Sequence, residues 1–145
     1  MKILFLNGPN LNMLGVREPS IYGYTSYLDI KASIEEKCRT MGIDCEVVQS
    51  NHEGTLVDEI QRAYFEKFDG IVFNPAAYTH TSVAIADALK AVSLPCVEIH
   101  LSDPETREAF RHISYIRPHV IATVKGEGWQ GYLHALDILY AHLTK

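Results

Sequence analysis

The chain lacks most of what would mark it as secreted, metal-bound or membrane-spanning. Its three cysteines, Cys38, Cys45 and Cys96, are odd in number and have no Cys-x-x-Cys spacing, which argues against both a disulfide framework and a structural zinc site. His52, His80 and His100 have neither His-x-His nor His-x-x-x-His spacing, so no metal is expected. No run of about 18 apolar residues occurs, which predicts no membrane span. The opening stretch Met1–Asn7 turns polar too soon for a signal peptide, and a cytoplasmic location is expected. Basic runs are missing too. Lys plus Arg is 13 against 18 Asp plus Glu, a formal net charge of −5, so nucleic acid and anionic membranes are poor partners. Arginine is scarce, at six residues, and where those six stand therefore carries information.

What remains is ordinary globular material. At 145 residues, 47% apolar and 21% charged, the chain fits one domain over residues 1–145, with a core large enough to need no staples. Short apolar runs at 2–7, 43–49, 70–74, 96–99 and 119–124 read as strands. Helical periods fill the gaps: Leu28, Ile30, Ile34 and Cys38 after a Thr25 or Ser26 cap; Leu56, Ile60, Ala63, Tyr64 and Phe68; and Val83, Ile85, Ala86 and Leu89. A short helix is expected near 105–111, and a last one near 129–143 carries Tyr132, Leu136, Leu139, Tyr140 and Leu143 as a core stripe. Strands alternating with helices, and nearly unbroken in apolar character, predict an α/β fold. The expected architecture is a flavodoxin-like, doubly wound, five-stranded parallel sheet of order 2-1-3-4-5.

In such a sheet ligands bind beyond the carboxyl ends of the strands, near the point where strand order reverses. Polar residues collect at that rim from three loops: Asn10, Asn12, Arg17 and Tyr22 after strand one; Asn74 to Ser82 after strand three; and Glu98, His100 and Ser102 at the end of strand four. Glu98 and His100, two apart on a strand, point to one face, where the carboxylate can orient the imidazole as a general acid. The connection 8–24 is longer than the usual roughly 4–6 residues, as lids and binding loops are. Within it Arg17 and Tyr22 stand between Gly15, Pro19 and Gly23. A tyrosine acting as a base near neutral pH needs its anion stabilised, and one guanidinium in contact supplies a shift of that order. Arg107 and Arg111, four apart on the expected short helix, share a face. Guanidinium groups around a polar cleft of an acidic protein suit a small carboxylate-bearing ligand.

Other readings fail on particular residues. Pro9 removes a backbone donor where a phosphate loop would need one, which weakens a nucleotide or flavin site. A receiver of this fold would need paired acids after strand one and a phosphoacceptor Asp after strand three, where Asn7, Asn10 and Asn74 stand; a non-catalytic flavodoxin-like small-molecule binding module is the alternative reading. An acyl hydrolase would need a Gly-x-Ser-x-Gly elbow, which is absent.

Taken in order, Asn7-Gly8-Pro9-Asn10-Leu11-Asn12-Met13-Leu14-Gly15, Arg17-Glu18-Pro19, Ile21-Tyr22-Gly23, Gln49-Ser50-Asn51-His52-Glu53-Gly54, Asn74-Pro75, Thr79-His80-Thr81-Ser82 and Glu98-Ile99-His100-Leu101-Ser102 closely resemble type II 3-dehydroquinate dehydratase. The resemblance runs through Arg107, Arg111, Ser114-Tyr115 and Gly131-Tyr132, essentially the whole chain. It implies dehydration of 3-dehydroquinate to 3-dehydroshikimate in the shikimate pathway, with no cofactor, no metal and no Schiff base. The roles it implies are Tyr22 as tyrosinate base at C2, Arg17 holding down its pKa, Asn10 holding the water that stabilises the enolate, and His100, oriented by Glu98, protonating the departing C1 hydroxyl. Asn74 and the backbone amides of Leu101 and Ser102 would bind the carboxylate, His80 and Arg111 the ring hydroxyls, and Arg107 would act from the lid side. The resemblance also implies a homododecamer of four trimers, in which Asp87 reaches a neighbouring trimer's site. Four departures stand out: Ala76 where the family often has Gly, Asp103-Pro104-Glu105-Thr106 for a more usual Asn-x-x-Ala, Ala86 before Asp87 where many members carry Arg, and the charged Lys125 and Glu127 near the last strand where apolar residues are common.

Overall fold

The computed structural model describes every residue except Arg17 and Gly23, and every side chain except also those of Pro19 and Tyr22. Five strands, β1 (Lys2–Asn7), β2 (Asp44–Gln49), β3 (Gly70–Asn74), β4 (Cys96–His100) and β5 (Ala122–Lys125), form one sheet of order β2-β1-β3-β4-β5. Every neighbouring pair is parallel. The helices are α1 (Pro19–Tyr22), α2 (Tyr27–Thr40), α3 (Glu53–Phe65), α4 (Val83–Val92) and α5 (Gly131–Leu143). This is the expected flavodoxin-like α/β arrangement.

The period-two side-chain alternation of a strand divides the core in two. Ile3 and Phe5 of β1, with Val72, Val97 and Ile99, pack under α2 and α5. Leu4 and Leu6, with Ile71, Phe73 and Cys96, pack under α3 and α4. Glu98 and His100 alternate with Val97 and Ile99, so they fall on the same face of β4 as Cys96. Two of the helix starts carry side-chain caps: the hydroxyl of Ser26 accepts from Asp29 N at 3.1 Å, and that of Ser82 from Ile85 N at 3.0 Å.

The helix expected at 105–111 does not form. Its place is taken by two separate 3-10 turns, Pro104–Thr106 and Ala109–Arg111, with Arg107 extended between them. Asp103 caps the first turn by accepting from Glu105 N at 3.0 Å, and Pro104 fits its first position. The fifth strand begins at Ala122 rather than 119, because Arg117–His119 closes a 3-10 turn around Pro118, which has no N–H for a ladder. Residues 8–24 are not wholly loop: they hold a 3-10 turn at Leu11–Met13 as well as α1. Leu28, Tyr64 and Val83, expected on buried helix faces, point outward at 72%, 55% and 55% exposure, and Tyr140 is at the edge of its stripe. Neighbouring positions on the same helices, Ile30, Ile60 and Ile85, fill the core instead.

One close approach ties the first and third strands' loops together. Gly8 N donates to Asn74 O at 2.8 Å. A Cβ on Gly8 would stand 2.4 Å from Pro75 O, so only glycine lets the two loops meet. Asn7 and Asn74 are opposite one another in the β1–β3 register, at the point where strand order reverses.

Candidate active site

At that point a cleft of about 130 Å³ opens at the carboxyl rim of the sheet. Its walls include Asn10 from the β1 loop, Asn74 and His80 from β3 and the turn after it, and His100, Leu101 and Ser102 from the end of β4. Arg107, from the extended link between the two 3-10 turns, and Arg111, from the second turn, close it. The broken helix therefore does not separate the arginines; both reach the same cleft. Thus the cleft of an acidic protein is flanked by two guanidinium groups and two imidazoles.

His100 Nε2 and Glu98 Oε2 lie 2.6 Å apart, and the carboxylate is wholly buried while the imidazole is 7% exposed. Glu98 lies behind His100 rather than in the cleft wall. Burial alone pushes its carboxyl pKa upward, but the His100 imidazole and the hydroxyls of Thr79 and Ser114 more than offset this and hold it below the ordinary carboxylate value. An ionised carboxylate accepts and cannot donate, so His100 donates from Nε2 and Nδ1 is the nitrogen left for the cleft.

His80 Nδ1 lies 2.7 Å from Ile113 O, and because a carbonyl only accepts, Nδ1 carries the proton there. Partial burial lowers the His80 pKa, only partly opposed by that carbonyl, and His100 and Arg111 lower it further. A neutral His80 thus presents Nε2 to the cleft as an acceptor. Arg111 is aimed by Glu108, which accepts from Nε at 2.6 Å, and its guanidinium lies over the Phe110 ring at 5.1 Å.

Asn74 sits in a buried chain: its Nδ2 donates to Tyr132 Oη at 3.0 Å, and that hydroxyl donates to Asn7 Oδ1 at 2.6 Å. Asn74 Oδ1 accepts from Ala76 N at 3.1 Å. One amide hydrogen of Asn74 is left over for a ligand. Tyr132, read from periodicity as core stripe only, is also a fixture of the site floor, and burial drives its hydroxyl pKa up. Asn10 takes left-handed backbone, φ 69°, and its N–H donates to Asn51 Oδ1 at 3.0 Å. Gln49 Nε2 donates to the same oxygen at 3.0 Å and to Gly8 O at 3.2 Å, and Tyr78 Oη donates to Asn51 O at 3.0 Å. Spacing and composition give Gln49, Asn51 and Ser114 no role, place Thr79 only within the polar stretch 74–82, and read Tyr132 only as core. Thr79 and Ser114 stand 19 and 16 residues from Glu98, and Tyr132 stands 58 from Asn74, beyond any local pattern.

Arg17 and the Tyr22 side chain lie outside the described residues. Their neighbour Ile21 lines an open groove with Leu101 and Ser102, which sets α1 against the rim of the cleft. Asp87 is exposed on α4 and is not part of this chain's cleft wall. Among the described residues no three His, Cys, Asp or Glu side chains converge as a metal site, and no helix is long and apolar enough to cross a membrane.

The sequence and the fold both have close counterparts. A 3-dehydroquinate dehydratase of Caldicellulosiruptor bescii is 52% identical over 138 residues, 95% of each chain. Another 3-dehydroquinate dehydratase, from Geotalea daltonii, is 52% identical over 145 residues, 100% of each chain. The crystal structure of a type II dehydroquinase from Butyrivibrio crossotus superposes with a TM-score of 0.95 at 50% identity, covering 97% of both chains. The family model described as dehydroquinase class II matches residues 1–140, and with relatives this similar over their full length the chain belongs to the class II dehydroquinases.

Proposed function

We propose that the protein dehydrates 3-dehydroquinate to 3-dehydroshikimate, and that it does so by proton abstraction, an enolate and acid-assisted loss of hydroxide. The observation that carries the reading is the buried Glu98–His100 pair facing a cleft flanked by Arg107 and Arg111. An acid poised beside cationic anchors suits a substrate that has a carboxylate and must lose a hydroxyl. Tyr22, as tyrosinate, removes the C2 proton alpha to the ring ketone. Bringing a phenol from about 10 to near 7 takes about 4 kcal/mol. One guanidinium at about 4 Å in a partly dry site supplies about that much, the part given to Arg17.

The enolate is stabilised through a water held by Asn10, the role an oxyanion hole plays elsewhere. Negative charge there is met by a residue whose backbone Asn51 has already fixed, so little reorganisation is needed. His100 passes the proton carried on Nδ1 to the departing C1 hydroxyl, which leaves as water, while Glu98 holds the ring through the Nε2 proton. The spare amide hydrogen of Asn74 and the backbone amides of Leu101 and Ser102 take the substrate carboxylate. His80, accepting at Nε2, and Arg111, donating, hold the ring hydroxyls, and Arg107 closes the cleft from the lid side. Asp87 serves a neighbouring trimer in a homododecamer. No step calls on a cofactor.

The direct test mixes purified, chelator-treated protein with 3-dehydroquinate and follows the ultraviolet absorbance of the conjugated enone. Full turnover, unchanged by the chelator, is the expected result. No product, or activity restored only by added metal, would refute the reading.

A further inference from the structure

Glu98 Oε2 is met at 2.6 Å by Thr79 Oγ1 and at 3.1 Å by Ser114 Oγ, in addition to His100. Oε1 has Thr123 Oγ1 and Ser114 Oγ, each at 3.4 Å. The directions of these bonds follow from counting protons. Ser114 Oγ accepts the N–H groups of Ile116 at 3.2 Å and Arg117 at 3.1 Å, which uses both its lone pairs. Thr79 Oγ1, 2.8 Å away, therefore cannot donate to Ser114 and gives its single hydrogen to Glu98. The Ser114 hydrogen is left to point at Thr79 Oγ1 and Glu98 Oε2. Each hydroxyl proton is directed at or toward the carboxylate.

We infer that Thr79 and Ser114 are positioning residues that hold the Glu98 carboxylate in register with His100 and so aim the imidazole for proton delivery. The inference rests on the proposed role of His100. The two hydroxyls come from different segments, the Ala76–His80 turn and the stretch before Ile116, and Tyr115 N donates to Thr79 O at 2.8 Å to clamp those segments together. A proton on Glu98 Oε2 would compete with the hydrogens that His100 and Thr79 already direct at that oxygen. The hydroxyls therefore keep the carboxylate charged and the shared proton on the ring. Titratable groups facing Glu98 are His100 and Cys96 from its own strand and His80 from the turn, while Thr123 on β5 is neutral.

The test compares Thr79→Val, Ser114→Ala and the conservative Thr79→Ser with wild type, each first checked for folding by thermal melting. Thr79→Val is expected to lower kcat about tenfold with KM within about twofold. It should also move the high-pH limb of kcat, the one that reports the proton donor, downward by about one unit, the size expected when the carboxylate holding that donor loses one hydrogen bond. The downfield ring N–H proton of His100, assigned by its loss in His100→Gln, should broaden in Thr79→Val and return in Thr79→Ser together with kcat. If Thr79→Val does not fold, Ser114→Ala carries the same expectations. A folded variant with wild-type kcat, pH limb and ring N–H signal would overturn the inference. If the ring signal broadens while kcat stays put, the positioning stands and the role given to His100 in the reaction falls.

Discussion

A carboxylate wholly out of water, as Glu98 is, persists only where protein donors replace its hydration, since isolated burial of such a charge costs several kcal/mol. Here the donors outweigh the burial, and the consequence can be measured as stability. Because the folded-state pKa is lowered, the unfolded chain takes up this proton first as the pH falls. The contribution is complete above the ordinary carboxylate value of about 4.3 and is lost as pH drops through the folded-state value. The urea midpoint should therefore decline on acidification below about pH 4.5, and decline less steeply in Glu98→Gln; parallel declines would contradict the assignment. The pairing of Glu98 with His100 was legible from strand period alone, because two residues apart on a strand means one face. The hydroxyls of Thr79 and Ser114 were not, since 35 positions separate them and only the fold brings them to 2.8 Å.

At the scale of elements, the turn after β3 shows local preference giving way to the site. Ala76 adopts φ 53°, in the left-handed region that a Cβ disfavours by about 1–2 kcal/mol. Its N–H is thereby brought to Asn74 Oδ1, which fixes the amide that faces the cleft. Glycine would take the same turn without that strain, so Ala76→Gly should raise the unfolding free energy by about 1 kcal/mol, read from the urea midpoint with an unchanged slope. A loss of stability would show that the methyl group's packing outweighs the strain. The departure at Ala76 was visible in the sequence; its left-handed backbone was not. Periodicity likewise found the helices but misassigned Leu28, Tyr64 and Val83, because a helix's buried arc is set by what packs on it. The arginine pair reaches one cleft without sharing a helical face: Arg107 comes from the extended link between two short turns and Arg111 from the second turn.

For the molecule as a whole, strand order does most of the placing. Five parallel strands with a reversal between β1 and β3 bring three loops to one rim, and that much follows from alternating apolar runs and turn residues. Charge adds to it: a chain of net charge −5 nonetheless turns Arg107 and Arg111 toward one cleft. Phe110, Ile113 and Tyr115, exposed on the segment beside that cleft, and Asp87, outside it, fit the proposed dodecamer. Sedimentation equilibrium on the active protein should give twelve copies, and a fully active monomer would contradict that proposal. The central claim, however, concerns Tyr22 as the proposed base. The kcat of Tyr22→Phe, followed by enone absorbance, should fall at least about 1000-fold, or about 4 kcal/mol, with substrate binding kept. A variant retaining a tenth of wild-type kcat would contradict it.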